Sequence, residues 1–187
     1  MSLILLKSGA VFLHIQKTGG TWLREALAAS GVATREEGHW HDDREANAGR
    51  GDRFFTVVRN PLSWYASFHA DRCRTGWGGD LTLGHDCAAG SLEAFVAKAY
   101  HRHPGFLAEL YGRHTAPGVA VLRTESLADD AAALLRSLGE DFDEAAFRSH
   151  PRANVSADRP AHTPRSAVMV VASEVKVFLK YGYGVTT

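Results

Sequence analysis

The chain has 187 residues, of which 45% are hydrophobic and 22% charged, and its 21 basic and 21 acidic side chains balance to a formal net charge of zero. These values are typical of one globular domain with a substantial core, so we expect a single domain over residues 1–187. The balanced charge argues against general nucleic-acid binding and against a long polyanionic partner. No apolar run has transmembrane length, and the first seven residues are too short for a secretion signal, so we expect no membrane partner and a cytoplasmic location.

The first informative segment runs from Val11 to Leu27. An apolar run over residues 11–15 predicts a buried strand, and the helical spacing of Trp22, Leu23, Ala26 and Leu27 predicts a following helix. Between them lies Lys17-Thr18-Gly19-Gly20-Thr21. A strand, a glycine-rich turn and a helix together can hold a phosphate group, because backbone N–H groups and the helix dipole point at the anion.

The position of Lys17 limits which phosphate loop this is. In the Walker pattern the lysine follows the glycines, whereas Lys17 precedes them here. The segment is therefore a poor match to an ordinary ATP or GTP loop. A purely structural strand-to-helix turn stays open as the alternative.

The second informative segment is residues 54–68, Phe-Phe-Thr-Val-Val-Arg-Asn-Pro-Leu-Ser-Trp-Tyr-Ala-Ser-Phe. An apolar strand ends at Arg59, and Asn60-Pro61 predicts a helix start with Asn as the cap and Pro in the first turn. Arg59 and Ser67 are eight residues apart, so we expect both at one pocket above the strand ends. Arginine suits phosphate oxygens, although a capping arginine and a solvated serine would explain either residue taken singly.

The rest of the chain continues the strand-and-helix pattern. We predict a loop over 73–90, helical structure over 91–111, a strand over 119–122, a helix over 128–138 capped by Gly139, a loop over 149–166 and a helix over 168–181. A short extra strand over 32–35 is also open. Strands followed by helices three times over predict an α/β fold, a three-layer sandwich with a central parallel sheet of about four strands.

These motifs together resemble the sulfotransferases that use 3′-phosphoadenosine 5′-phosphosulfate (PAPS), in particular their compact bacterial or carbohydrate-type members. Lys17 to Leu23 is similar to the family's 5′-phosphosulfate loop, and residues 58–68 are similar to its 3′-phosphate motif. Residues 119–130 and 134–139, Asn154 to Ser156 and Phe178 to Tyr183 are similar to later segments, in the family's order. An Arg-Lys-Gly segment that cytosolic members carry near the end has no match here.

The resemblance implies a P-loop-like fold, PAPS as the donor, 3′-phosphoadenosine 5′-phosphate (PAP) as the product, and no required metal. It implies that Lys17 contacts the phosphosulfate and stabilises the leaving oxygen, and that Trp22 packs near the adenine. It also implies that Arg59 and Ser67 hold the 3′-phosphate. The residues implied to donate to the 5′-phosphate are Thr18, Gly19, Gly20 and Thr21.

An acceptor hydroxyl must lose its proton, so a catalytic base is expected. Residues 38–43, Gly-His-Trp-His-Asp-Asp, give the best candidates. His39 matches the family's histidine most directly, and His41 is the close alternative, with Asp42 or Asp43 able to orient an imidazole. A solvated polar loop and a weak metal site at these residues are the other interpretations. His14 is expected to be a buried or rim histidine.

The sequence leaves the acceptor open, as a small molecule or a carbohydrate, and a homodimer stays open too. Cys73 and Cys87 are expected to be free thiols. Two other functions also stay open. One is an ATP-dependent phosphotransferase with an unusual loop, and the other is a nucleotide-binding module without catalysis.

Overall fold

The computed structural model describes residues 2–39, 41–78, 81–151 and 160–184. Within them, five strands form one mixed sheet in the order β3-β1-β2-β4-β5. The strands are β1 (Ser2–Leu5), β2 (Val11–Leu13), β3 (Thr34–Glu37), β4 (Phe54–Val58) and β5 (Val119–Arg123). The helices are α1 (Gly20–Ala29), α2 (Pro61–Thr75), α3 (Thr82–Asp86), α4 (Leu92–Arg102), α5 (Phe106–His114), α6 (Leu127–Leu138), α7 (Glu144–Ser149), α8 (Pro164–Ser173) and α9 (Val175–Tyr181).

The sheet confirms the α/β prediction and corrects its detail. Strands β2, β4 and β5 pair in parallel, as the strand–helix alternation predicts. Strand β1 runs antiparallel to both of its neighbours, β2 and β3, so the sheet is mixed and not wholly parallel. The hairpin from β1 to β2 was not predicted. All four residues of β1 are buried, so the strand lacks the alternating pattern that would have marked it.

The chain divides into two compact units. Unit 1 comprises Met1–Arg59 and Tyr111–Val155, and unit 2 comprises Asn60–Leu110 and Ser156–Thr187. Unit 1 contains the whole sheet. Its core joins β-strand side chains such as Phe12 and Phe55 to the inner faces of α1, α6 and α7. The T-shaped contact between Trp22 of α1 and Phe147 of α7, with ring centroids 5.4 Å apart, belongs to this core.

Unit 2 is helical, and a buried carboxylate connects its helices. Glu174, between α8 and α9, accepts hydrogen bonds from the Tyr65 hydroxyl (2.8 Å) and from the N–H groups of Leu107 and Ala108 (both 3.1 Å). Leu107 and Ala108 lie in the first turn of α5, where N–H groups have no partner within the helix. Glu174 therefore caps α5 from a distant part of the sequence.

Several element predictions needed correction. The segment 73–90 contains the short helix α3, the segment 91–111 is split at His103–Gly105, and the last helix begins at Pro164 and breaks at Glu174. Two predictions are confirmed: α6 ends at Gly139 in a left-handed conformation, and the side chain of Asn60 accepts from Leu62 N–H to start α2. Asn154 to Ser156 lies outside the described residues. No helix in the described part of the chain has both the length and the apolar character needed to cross a membrane.

Candidate functional site

The phosphate-loop candidate lies at the carboxyl end of β2 in unit 1. Strand β2 ends at Leu13, α1 begins at Gly20, and Gly19 is the helix N-cap with φ 99° and ψ 12°. The cap residue Gly19 has no side chain to accept from the N–H groups of this helix start. The first N–H groups of α1 have no partner within the helix, which is the arrangement that favours an anion.

Lys17 gives the loop an unusual backbone. Its φ is +64°, and it is the one non-glycine residue in the described segments with a positive φ. Gly19 also has a positive φ, whereas Thr18 between them does not. When the backbone conformation alternates in handedness along successive residues, their N–H groups point into a shared concave site, called a nest, that binds anions. A left-handed lysine costs roughly 1–2 kcal/mol, so contacts elsewhere must hold it in place.

Arg59 supplies one of those contacts. It follows the last residue of β4, is 6% exposed, and donates from Nη1 to the Lys17 carbonyl oxygen at 2.9 Å. The buried Tyr111 fixes the Arg59 backbone, because its hydroxyl donates to the Arg59 carbonyl (3.0 Å) and accepts from the Arg59 N–H (3.3 Å). The lysine-bearing loop and Arg59 thus meet at the same edge of the sheet.

Thr124 supplies a second contact from the end of β5. Its hydroxyl lies 2.6 Å from the Thr18 carbonyl oxygen and 3.1 Å from that of Val58. Sequence reasoning assigned no role to Thr124 or Tyr111. Only their position after or beside the neighbouring strands could have suggested one.

The two loop glycines pack closely against their surroundings. A Cβ on Gly19 would lie 2.9 Å from Leu127 Cδ2, and a Cβ on Gly20 would lie 2.1 Å from Cδ2 of the His14 ring. Gly19 is further restricted by its positive φ. The protein's own packing thus favours glycine at both positions.

The predicted 5′-phosphate residues differ in what their side chains do. Thr18 is fully buried, and its hydroxyl donates to the Ile15 carbonyl oxygen at 2.8 Å, so only its backbone N–H remains to serve an anion. Thr21 is exposed on the first turn of α1. Trp22 is 9% exposed, and its Nε1 donates to the His150 carbonyl oxygen at 3.2 Å. Its predicted packing near an adenine stays a prediction beside this structural role.

The structure distinguishes the two candidate bases. His39 is exposed, and its backbone N–H donates to Asp42 Oδ2 at 2.8 Å, which closes a turn. His41 is half-buried, and its Nδ1 lies 3.3 Å from the His14 carbonyl oxygen. The rings of His41 and His14 are 5.1 Å apart. Of the two candidates, His41 is therefore the one that lies beside His14, just before the lysine-bearing loop.

His14 lies between the sheet and α1 as a neutral ring. Burial, as the largest cause, together with the charges of His41, Arg24 and His114, lowers the pKa of His14 from 6.5 to about 3. A group with this pKa is uncharged at neutral pH. The expectation of a buried histidine is confirmed, since His14 is 8% exposed.

Ser67, the second predicted 3′-phosphate residue, belongs to unit 2, where it is buried on α2. Its role stays a prediction from the sequence.

Unit 2 also contains an open cavity of about 690 Å³ between the first turns of α4 and α8. Its polar groups pair with one another, because the Thr163 hydroxyl donates to Glu93 at 2.6 Å and Arg165 lies 3.9 Å from the same carboxylate.

Both cysteines are free, as predicted, with Cys73 exposed and Cys87 buried. Within the described segments no three His, Cys, Asp or Glu side chains are grouped as a metal site would need.

Comparisons of the chain with protein-family models, with curated proteins and with solved structures find no match.

Proposed function

We propose that the chain is a sulfotransferase that moves a sulfuryl group from PAPS to a hydroxyl or amine of a small-molecule or carbohydrate acceptor. The observation that supports this best is the 2.9 Å hydrogen bond from Arg59 to the Lys17 carbonyl. It joins a nest-like loop at the start of a helix to a guanidinium from the next parallel strand. The proposal includes the three-layer, P-loop-like arrangement of the family that the sequence resembles.

The donor is a doubly anionic nucleotide, with phosphosulfate at one end and a 3′-phosphate at the other. In the proposal the N–H groups of Gly19, Gly20 and Thr21 bind the 5′-phosphate, since they lie at the start of a helix whose cap residue is a glycine. Arg59 offers a planar fork of N–H donors that suits phosphate oxygens, and its Nη1 donates to the Lys17 carbonyl. Ser67 is the second 3′-phosphate residue on the strength of the sequence resemblance alone.

His41 is the proposed base. When its Nδ1 carries the proton and donates to the His14 carbonyl, Nε2 keeps the lone pair that can take a proton. Holding the ring through one nitrogen fixes both its tautomer and its direction, which a general base requires. In the part of the chain that the structure describes, the His39 ring makes no comparable contact, so His39 is the weaker candidate.

The proposed reaction balances without a further reactant. The acceptor oxygen forms a bond to sulfur, the bond from sulfur to the 5′-phosphate oxygen breaks, and the acceptor proton passes to Nε2 of His41. The Lys17 ammonium stabilises the negative charge that grows on the leaving phosphate oxygen. Most of the rate enhancement would come from positioning and fixed electrostatics, as in phosphoryl transfer.

Calorimetric titration with PAP, ADP and ATP, without metal, tests the donor site. We expect PAP to bind more tightly than ADP, because only PAP carries a 3′-phosphate. Arg59→Ala should weaken PAP binding by about 1.5–3 kcal/mol, the range for a lost hydrogen bond to a charged group. Arg59→Lys keeps the charge and should retain part of the affinity, and it serves as the second variant if Arg59→Ala unfolds.

Arg53→Ala is the matched control. Arg53 immediately precedes β4 at its opposite end and is exposed, so its removal should leave PAP affinity unchanged. Equal affinity for PAP and ADP would count against the proposal. A requirement for magnesium with ATP would favour a phosphotransferase. Tight PAP binding with turnover unaffected by His41→Ala and by His39→Ala would indicate another base or a binding module without catalysis.

A further inference from the structure

The carbonyl groups of Lys17 and Thr18 in the loop each bind a side chain that directly follows a strand, Arg59 after β4 and Thr124 after β5. Arg59 Nη1 binds the Lys17 carbonyl, and the Thr124 hydroxyl binds the Thr18 carbonyl. A hydroxyl has one proton, and the 2.6 Å distance to Thr18, against 3.1 Å to Val58, assigns that proton to Thr18. These are consecutive peptide groups, so two neighbouring planes of the loop are oriented at once.

The direction of a carbonyl also determines the direction of an N–H. In a trans peptide the C=O and the following N–H point in opposite directions. The Thr18 carbonyl is held toward Thr124, so the N–H of Gly19 is turned away from Thr124. The Lys17 carbonyl is held toward Arg59, so the N–H of Thr18 is turned away from Arg59. The N–H groups face away from these two contacts.

Thr124 also contacts the loop through its methyl group. A Cβ built on Gly19 would lie 3.8 Å from Thr124 Cγ2 and 2.9 Å from Leu127 Cδ2, so the turn after β5 packs directly under Gly19. The turn itself is held by Asp130, whose Oδ2 accepts from Arg123 N–H and from the Ser126 hydroxyl, both at 2.9 Å. Thr124 lies between these two anchored residues.

We infer that Thr124 is a positioning residue for the donor site: through its hydrogen bond to the Thr18 carbonyl it holds the Gly19 N–H in the direction that an anionic phosphate requires. The inference rests on the proposed function for the identity of the ligand. Thr124 acts through the loop and contacts no reacting atom. A residue that directly follows β5 thereby determines the geometry of a loop that follows β2.

Two substitutions at this position separate the hydroxyl from the methyl group. Thr124→Val keeps the shape and removes the hydrogen bond, whereas Thr124→Ser keeps the hydrogen bond and removes the methyl. Thr56→Val is the matched control, because the buried Thr56 hydroxyl donates to the Leu13 carbonyl at 2.7 Å between strands β2 and β4, outside the loop. It should cost similar stability without changing the donor site.

The first readout is the backbone amide resonances of Gly19 and Gly20 in the ligand-free protein. We expect Thr124→Val to shift or broaden both, while Thr124→Ser and Thr56→Val leave them near their original positions. This readout needs no nucleotide, so it tests the inference even if PAP does not bind. Unchanged Gly19 and Gly20 resonances in Thr124→Val would overturn the inference.

The second readout is PAP affinity by calorimetry. Thr124→Val should weaken PAP binding about tenfold, because the loss of one hydrogen bond leaves the loop less well oriented for the ligand. The PAP affinity of Thr124→Ser should stay within about twofold of the wild-type value. If the wild type fails to bind PAP, the proposed function fails while the resonance test still stands. If the resonances move and PAP affinity stays at the wild-type value, Thr124 is a structural residue only and the inference is wrong.

Discussion

Gly20 is the position where one added methyl group tests the packing of the lysine-bearing loop. In Gly20→Ala the new Cβ would lie 2.1 Å from Cδ2 and 2.3 Å from Nε2 of His14, far inside ordinary contact distance. The ring has little room to move, since it is 8% exposed and lies 5.7 Å from the Phe12 ring and 5.1 Å from the His41 ring. Overpacking of this kind costs about 1–3 kcal/mol.

The clash and the ordinary effect of replacing glycine by alanine change the free energy of unfolding in opposite directions. Gly20 is the first residue of α1 and does not have a positive φ, so its backbone conformation is open to alanine. Without the clash, glycine to alanine in a helix would stabilise the protein by about 0.5–1 kcal/mol. Gly112→Ala in α5 is the control, because a Cβ there meets nothing within 4 Å, and it should stabilise the protein by that amount.

A double-mutant cycle identifies His14 as the cause. Urea unfolding followed by circular dichroism gives the free energy of unfolding of Gly20→Ala, of His14→Ala and of the double variant. Removing the ring makes room for the new methyl, so the double variant should be more stable than the sum of the single changes predicts, by about 1–3 kcal/mol. A Gly20→Ala variant as stable as Gly112→Ala, or single changes that simply add, would refute the packing described for this loop.

The other predictions concern titration, capping and thiol reactivity. Because the pKa of His14 falls to about 3 in the fold, the native state binds fewer protons than the unfolded state between about pH 3 and 6.5, and stability should rise across that window by up to about 1.4 kcal/mol per pH unit. Urea midpoints from pH 4 to 8 should therefore rise less steeply in His14→Leu, and an identical slope would contradict the assignment. Glu174→Gln should cost about 1–3 kcal/mol, because an amide replaces one of the two acceptor oxygens with a donor that faces other donors. Burial raises the pKa of Glu174 in the folded protein, so the wild type should lose stability as the pH rises above the pKa of the unfolded carboxyl. Glu174→Gln does not titrate and should lack this loss. Thermal melts at two pH values check both effects. In the folded protein a thiol reagent should modify Cys73 and leave Cys87 unmodified, since Cys87 is fully buried and burial raises its pKa; equal labelling by mass spectrometry would show that Cys87 becomes accessible.

The sequence predicted the elements whose signals are local. Asn60-Pro61 starts α2 and Gly139 ends α6 because cap residues act within one turn of the chain. The approach of Arg59 to the lysine loop was predicted as well, since the carboxyl ends of parallel strands meet at one edge of a sheet.

The features that sequence reasoning missed depend on distant contacts. Strand β1 has no alternation because both of its faces are buried. Helix α7 has six residues, and its Phe147 packs on Trp22. The cap of α5 is Glu174, which lies 66 residues after Ala108. Such partners are set by the folded structure, and no local pattern marks them.

The choice between His39 and His41 was another matter that spacing could not decide. Two histidines separated by one residue in a polar loop look alike in the sequence. Only the contact between His41 Nδ1 and the His14 carbonyl distinguishes them, and it joins residues 27 positions apart. The hydrogen bond from Thr124 to the Thr18 carbonyl likewise joins residues 106 positions apart.

A crystal structure of the protein with PAP would test the central claim most directly. We predict that the 5′-phosphate lies within hydrogen-bonding distance of the Gly19, Gly20 and Thr21 N–H groups, with the Lys17 ammonium beside it and the Arg59 guanidinium on the 3′-phosphate. A nucleotide bound away from this loop, or a loop that stays empty at millimolar PAP, would contradict the claim.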